Sequence, residues 1–318
     1  MLENNSEYAA KKYEFSAYYE QKILPALLPF EKTRRKYLLI FCTMCIFIIG
    51  WVAFTFNHIH EMFSGAEDDT DNWFGIGSCL LILLLCLPML SYYKRSKENL
   101  LPLITDFFGK FTYVYQPQIS DNILTKSKIV KTYDKLITDD GFSGEYTGLP
   151  IMITEYSGLQ LQKPTKQNPK VSYKKQAHGI FFIADMQKKF QGETIVVKDK
   201  GMLNRFARYK NLAKVGLEST EFEKKYEVYS DSQVEARYIL TPVMLEYMLA
   251  SKNSFSDIEF SFFDNRLFMN IHIKENYFEA SNFFTPITNR KNIEKIFTEL
   301  YLLFSIVDTL KLNQQRLL

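Results

Sequence analysis

Two long stretches without a charged residue constrain this chain more than any other feature. Residues 37–56 read YLLIFCTMCIFIIGWVAFTF, and residues 73–93 read WFGIGSCLLILLLCLPMLSYY. As helices, both would be about 30 Å long, which is the thickness of the hydrocarbon core of a bilayer. Tyr and Trp at the borders of the second stretch are typical of membrane interfaces, and a buried core helix is the alternative there. The sequence therefore predicts two transmembrane helices.

The charges around these stretches predict the orientation of the hairpin. The linker, residues 57–72, is acidic and contains no Lys or Arg. The basic residues that flank the two stretches are Lys32, Arg34, Arg35, Lys36, Lys94, Arg95 and Lys97. Because positively charged flanks stay on the cytoplasmic side, we expect both termini to be cytoplasmic and the linker to be extracytoplasmic.

Neither stretch contains Asp, Glu, Lys, Arg or His, which ion or proton transport normally needs inside the membrane. The hairpin is therefore interpreted as an anchor rather than a conduit. The 4 cysteines all lie within the two stretches, so the rest of the chain is predicted to have no disulfide, thiolate zinc site or Cys nucleophile. The 39 Lys and Arg against 36 Asp and Glu give a net charge of +3, which argues against a nucleic-acid partner.

The remainder of the chain predicts an α+β domain with antiparallel strands and flanking helices. Residues 1–36 are assigned to a cytoplasmic N-terminal segment. Apolar residues at helical spacing predict a helical neck over residues 94–136, followed by a cytoplasmic domain over residues 137–318. The Lys-rich stretch 163–175 is predicted to be a mobile surface loop.

Inside this domain the pattern predicts specific strand pairs and helix starts. Two strands are expected around residues 148–150, HGIFFIAD is expected to pair with GETIVVKD, and a hairpin is expected across Asp264 and Asn265. Ser232 fits a capping box with Glu235, and Thr241 before a proline predicts another helix start. From Ile293 to Leu310, apolar residues at helical spacing predict a helix that a sheet or a partner must cover.

Catalytic and cofactor motifs are missing from the sequence. There is no G-x-S-x-G, no Walker A and no Gly-rich loop after a strand, so no cofactor is expected. His58 and His60 next to Glu61 form only a weak metal-binding pattern, and no metal site is predicted. His178 or His272 could be a general base, with a structural or surface histidine as the alternative.

A basic stretch follows the predicted strand GETIVVKD. It could rest against anionic lipid at the cytoplasmic face, and an ordinary solvated connector is the alternative. The basic residues of this lipid-facing patch are Lys200, Arg205, Arg208 and Lys210.

The stretch FEKKYEVYSDSQVEARYILTP, residues 222–242, resembles a bacterial family of two-span membrane proteins known only as a domain of unknown function. The resemblance covers nearly the whole chain. It implies a helical hairpin in the cytoplasmic (inner) membrane and a large cytosolic domain, and it implies no activity.

Read physically, this motif is a strand that runs into a capped helix. Arg237 could pair with Glu223 or Glu235 to pin the junction, and such stapling is the structural interpretation. The functional hypothesis is that Arg237 and Tyr238 border a groove for an anionic or peptide ligand. The residues of this predicted partner-binding site are Tyr226, Asp231, Glu235, Arg237 and Tyr238.

Taken together, these patterns predict a non-enzymatic, membrane-anchored interaction module that binds a protein partner or anionic lipid at the inner face. Two alternatives stay open. One is a membrane-associated hydrolase that uses Asp or Glu with His178 or His272, and the other is an accessory subunit of a transport or envelope complex.

Overall fold

The computed structural model describes residues 6–62, 92–164, 171–186, 189–199, 209, 211–251 and 257–315. The chain is an α+β protein that divides into two compact units. The first unit comprises Met1–Ala10, Ile104–Phe278 and Lys295–Leu318, and the second comprises Lys11–Leu103 and Glu279–Glu294. The first unit contains a nine-stranded antiparallel sheet, and the second contains most of the N-terminal helices.

The N-terminal helices follow one another without a break. Helix α1 is Ser6–Tyr18, a π-helical turn covers Tyr19–Ile23, and helix α2 is Leu24–Met62. Helix α2 contains the first predicted span and continues past its predicted end at residue 56. The second predicted span lies almost entirely outside the described residues, and the two-helix hairpin is therefore not shown.

The segment predicted as a helical neck contains a strand as well as helices. Helix α3 covers residues 92–105, strand β1 is Lys110–Tyr115, and helix α4 is Asp121–Ser127. The helix prediction is wrong over β1, where KFTYVY alternates β-branched and aromatic residues that favour an extended chain. These residues pair with the following strand, β2, which is Lys135–Tyr146.

The sheet follows the order β1-β2-β3-β4-β9-β8-β5-β7-β6. Its other strands are β3 (Leu149–Gln162), β4 (Ser172–Asp185), β5 (Thr194–Lys198), β6 (Ala213–Val215), β7 (Tyr226–Ser230), β8 (Asp257–Phe263) and β9 (Arg266–His272). Because β3 and β4 extend to Gln162 and back from Ser172, the Lys-rich stretch is partly strand, and Lys174 and Lys175 lie on β4.

Two of the three predicted strand pairs are confirmed. Strands β2 and β3 join through Thr147 and Gly148, whose φ angles of 48° and 83° are those of a two-residue hairpin turn. Strands β8 and β9 pair across Asp264 and Asn265.

The third predicted pair is wrong. HGIFFIAD lies on β4, which pairs with β3 and β9, whereas TIVVK of β5 pairs with β7 and β8. Both segments are buried on their two faces, so their side-chain pattern carried no information about which strand lies beside them.

A row of buried apolar side chains crosses seven strands on one face of the sheet. Its members are Phe142, Ile153, Phe182, Met269, Phe260, Val196 and Val228, which are directly opposite one another in register. The opposite face holds Phe181 and Phe268, which pack in one cluster with Leu124 of α4 and with Ile129. The core therefore lies on both faces of the sheet.

Four more helices complete the described residues: α5 (Thr220–Glu223), α6 (Gln233–Ile239), α7 (Pro242–Ser251) and α8 (Arg290–Gln315). Both predicted helix starts are confirmed, since the Ser232 hydroxyl accepts from the Glu235 N–H and the Thr241 hydroxyl from the Met244 N–H, each at 3.3 Å. The apolar stripe of α8 is buried, and the ring of its Phe304 lies 4.5 Å from Tyr146.

Candidate functional site

The predicted partner-binding site lies where β7 runs into α6, and two of its carboxylates bind a neighbouring turn. Asp231 accepts a hydrogen bond from the Glu193 N–H at 2.8 Å, and Glu235 accepts one from the Gln191 N–H at 3.3 Å. Between them, Gly192 has a φ of 107°, and a Cβ there would lie 2.2 Å from an oxygen of Asp231. Both carboxylates therefore shape the turn at residues 191–193, which only glycine can complete.

Tyr226 does not share a surface with these groups. Its side chain is buried in β7 and stacks on Phe222 with ring centroids 5.0 Å apart. Burial raises the pKa of Tyr226 to about 12, and the negative charges of Asp257 and Glu259 act in the same direction. Tyr226 is a packing residue, which the sequence could not distinguish from a ligand-facing tyrosine.

Arg237 and Tyr238 lie on the outer side of α6. Arg237 donates to the Gly216 carbonyl at 3.3 Å, while Glu223, one of its two predicted partners, accepts from the Leu217 N–H at 2.8 Å. Tyr238 is 38% exposed, and Val234, one helical turn earlier, is 79% exposed. These side chains form an exposed stripe of apolar and cationic character, called here the α6 stripe, which consists of Val234, Arg237 and Tyr238.

A cavity of about 710 Å³ opens beside the turn at residues 191–193. Asp231 lines it, whereas Arg237 and Tyr238 are not among its described lining residues. Three lysines contribute to its wall, namely Lys126, Lys128 and Lys189. Lys128 is paired with Glu193 at 2.5 Å. The sequence did not reveal this cavity because its wall comes from four separate segments.

The predicted lipid-facing patch lies outside the described residues. Residues 200–208 and residue 210 are not described, which includes Lys200, Arg205, Arg208 and Lys210.

His178 is brought close to a serine and a buried carboxylate. Its Nδ1 lies 3.1 Å from Ser157 Oγ and 3.2 Å from the Tyr156 carbonyl, and its Nε2 lies 3.8 Å from Glu155 Oε1. A carbonyl oxygen can only accept, so in the tautomer that donates from Nδ1 to Tyr156 this nitrogen has no lone pair with which to activate Ser157. Burial lowers the pKa of His178, and the charge of Lys175 lowers it further. The geometry thus favours a hydrogen-bonded structural histidine.

His272 belongs to a separate network of polar side chains. Its Nε2 lies 3.3 Å from a Glu259 carboxylate oxygen. That same oxygen accepts from the Asn270 amide at 3.2 Å, and the amide also donates to the Ile129 carbonyl at 3.0 Å. The Tyr156 hydroxyl donates to Asn270 Oδ1 at 2.7 Å. The network joins three strands to the segment after α4, which is a structural task.

The apolar part of α2 is exposed among the residues that the structure describes. In its most apolar window of eighteen residues 0% is buried. The exposed side chains include Leu39, Ile40, Ile46, Phe47, Ile49 and Val52, and Ile46 is 70% exposed. Within the described residues, the segment Ser6–Ala53 is the one helix that is long and apolar enough to cross a membrane.

On the N-terminal side of this apolar part, α2 carries a buried ion pair between Glu31 and Arg34. Glu31 accepts two hydrogen bonds from Arg34, at 2.7 and 2.9 Å, and both side chains are at most 7% exposed. Burial alone would raise the pKa of Glu31, but hydrogen bonds from Arg34 and Arg35 hold it below its ordinary value. The sequence analysis named Arg34 as one of the basic residues that flank the first apolar stretch. It did not predict the ion pair, although Glu31 and Arg34 have the i, i+3 spacing that brings two side chains together on a helix.

The described residues thus define an α+β protein with a candidate membrane helix. Residues 176–312 match the model of a family described as "Protein of unknown function (DUF3137)", which confirms that the chain resembles a family of unknown function over this part. No curated protein matches the chain. Among solved structures, the crystal structure of the mycobacterial trehalose monomycolate transport factor A, TtfA, is similar with 12% sequence identity and a TM-score of 0.36. The similarity covers 65% of this chain and 94% of that chain.

Proposed function

We propose that the chain is a membrane-anchored interaction module. The observation that carries this proposal is the exposed apolar part of α2, because none of the described residues covers it and a helix that is apolar all round is buried either in a protein core or in a membrane. The first unit has its own sheet and its own core, so it supplies a folded domain for binding.

The finer topology is part of the same proposal. Residues 73–93 form a second span, both termini lie in the cytoplasm, and the membrane is the bacterial inner membrane. This is supported by the distribution of Lys and Arg around the two apolar stretches and by their absence from residues 57–72.

The binding surface proposed for the domain is the α6 stripe, and its partner is a protein. Val234 and Tyr238 present apolar area while Arg237 adds a cation, and tyrosine and arginine are the residue types that contribute most at protein interfaces. An anionic headgroup is the alternative ligand for Arg237. A hydrolase based on His178 is disfavoured, because the Tyr156 carbonyl competes with Ser157 for its Nδ1.

Quantitative affinity purification from native membranes in mild detergent tests this surface. The variant Arg237→Ala, Tyr238→Ala is compared with the wild type and with a matched control, Tyr173→Ala, Lys174→Ala, which removes a tyrosine and a cation from exposed positions of β4. All three proteins are first matched for thermal stability.

We expect a stoichiometric protein partner that is lost in the Arg237, Tyr238 variant and kept in the control. Equal partner recovery from all three proteins would contradict the proposed surface. Loss of binding to anionic vesicles in place of a protein partner would transfer the site to lipid.

A further inference from the structure

The second unit contains a turn at residues 282–285 that carries two adjacent phenylalanines, Phe283 and Phe284. Asn282 Oδ1 accepts hydrogen bonds from the backbone N–H of Phe284 at 3.0 Å and of Thr285 at 2.9 Å. The Thr285 N–H also donates to the Asn282 carbonyl at 3.1 Å. The turn at residues 282–285 is therefore fixed by its own first residue, and it holds Phe283 and Phe284 at its tip.

The two phenylalanines point in different directions. Phe283 is buried, with its ring centroid 5.7 Å from Phe41 and 5.5 Å from Tyr92. Phe284 also contacts Phe41, at 5.7 Å, but its side chain is 59% exposed. The turn thus packs on α2 through one ring and presents the other to the surroundings.

The buried ion pair of α2 holds this part of the chain at two points, Phe283 in the turn and Ile287 after it. Arg34 donates to the Phe283 carbonyl at 2.9 Å, and Glu31 accepts from the Ile287 N–H at 3.2 Å. Because the ion pair is itself buried and doubly hydrogen-bonded, the turn is held at a defined height on the helix.

The two phenylalanines of the turn reach the start of the apolar part of α2 through Phe41. Phe41 is four positions beyond Tyr37, where the apolar stretch begins, so it lies about 6 Å into that stretch along the helix axis. Leu39 and Ile40, at the same height, are exposed apolar residues of α2. Exposed Lys32, Arg35 and Lys36 lie just before the apolar stretch. An exposed phenylalanine is ordinary elsewhere on a protein surface, but here it continues the exposed apolar surface of α2.

From this placement we infer that the turn at residues 282–285 enters the membrane interface and that Phe284 inserts among the lipids at the headgroup end of the acyl chains. Aromatic rings favour this zone of a bilayer. The second unit then has two membrane contacts, the helix α2 and a turn that lies far later in the chain. The inference rests on the proposed membrane anchor.

Fluorescence quenching by brominated lipids tests it in the full chain. The chain has 2 tryptophans, Trp51 and Trp73, and both are changed to Phe so that one new tryptophan can be placed at a time. The three single-tryptophan proteins are Phe284→Trp, Phe47→Trp and Tyr13→Trp, each reconstituted in nanodiscs with bromine near the headgroup end or near the tail end of the acyl chains. Tyr13 is 79% exposed and precedes the apolar stretch by about 36 Å of helix.

We expect the fluorescence of the Phe284→Trp protein to be lost most with bromine near the headgroups. The Phe47→Trp protein should lose most with bromine near the chain ends, and the Tyr13→Trp protein should be unchanged by either lipid.

Two results would count against the inference in different ways. If the Phe284→Trp protein is as insensitive as the Tyr13→Trp protein while the Phe47→Trp protein is quenched, the inference is overturned and the membrane anchor stays intact. If the Phe47→Trp protein is insensitive to both lipids, the anchor and the inference are overturned together.

Discussion

Helices α2 and α8 are both long and rich in apolar residues, but the described residues cover only the apolar part of α8. In α8 the side chains of Phe297, Leu300 and Phe304 are at most 1% exposed. In the apolar part of α2, Phe47 and Ile49 are 65% and 68% exposed. The two helices also differ in charge, because α8 contains acidic and basic residues along its length and residues 37–56 contain none.

The comparison shows that the charges along an apolar helix, more than the number of its apolar residues, indicate what will cover it. Helix α8 is covered by protein on several sides, since it contacts the sheet through Phe111 and Tyr146, α1 through Tyr8 and α7 through Tyr247. An all-round apolar surface has no preferred side, so a bilayer suits it better than a single protein face.

Truncating one phenylalanine in each helix should separate the two environments most clearly. Phe304→Ala removes a ring that contacts Phe108, Phe111 and Tyr146, and we expect it to lower the free energy of unfolding by about 3–5 kcal/mol. Phe47→Ala should change it by less than about 0.5 kcal/mol, because that ring has little protein around it. Denaturant unfolding in detergent micelles measures both values, and equal losses would contradict the comparison.

Adding a charge to α2 is expected to have the next largest effect. Phe47→Arg places a guanidinium near the middle of the apolar stretch, which should cost about 2.5–3.5 kcal/mol of insertion free energy. A reporter of membrane insertion measures the inserted fraction. Tyr13→Arg in α1 serves as the control and should insert like the wild type. An inserted fraction of the Phe47→Arg variant equal to that of the wild type would contradict the placement of Phe47 in the hydrocarbon core.

One charged residue of α8, Glu299, is buried and should stabilise the fold, whereas a charge placed in the apolar part of α2 should oppose insertion. Glu299 is 5% exposed and accepts from the Phe278 N–H at 3.0 Å. Glu299→Ala leaves that buried N–H without its acceptor, so we expect a loss of about 1–3 kcal/mol in the free energy of unfolding. Glu299→Gln keeps an acceptor and should lose less. A smaller loss in the Ala variant than in the Gln variant would contradict this role.

The smallest expected effect is a pH dependence of stability that arises from His178 in the first unit. The pKa of His178 is lowered in the folded chain, mainly by burial, from an ordinary value of 6.5. The unfolded chain therefore binds more protons just below pH 6.5, and stability should fall as the pH drops from there toward the folded pKa. At pH values well above 6.5 this group should have no influence.

Thermal melting between about pH 5 and 8 measures the slope, and His178→Gln should flatten it. Residues 37–56 contain no group that titrates in this range, so lipid partition of α2 should not follow the same curve. An unchanged slope in the variant would assign the pH dependence to other groups.

Local signals predicted much of the fold, and long-range neighbours could not be predicted. The capping at Ser232 and Thr241, the β8–β9 hairpin and the stripe of α8 all depend on residues close in sequence. The partner of β5 does not, because TIVVK is buried on both faces and fits several neighbours equally well.

The candidate site shows the same limit. The motif correctly located a strand followed by a capped helix, and the exposure of Tyr238 agrees with a surface role. Tyr226 was misjudged because burial depends on Phe222 and on the neighbouring strands. The turn at residues 282–285 was not anticipated, since Phe283 and Arg34 are 249 positions apart.

That separation also sets an order of events during translation. At about 5–20 residues per second, the ribosome needs about 12 to 50 s to reach Phe283 after it has made Arg34. In the proposed anchor, helix α2 can already enter the membrane during this time, while Glu31 has only Arg34 and Arg35 of the same helix as hydrogen-bond partners. The base of the anchor therefore closes late, when the segment around Phe283 leaves the ribosome and docks onto a helix that is already in place.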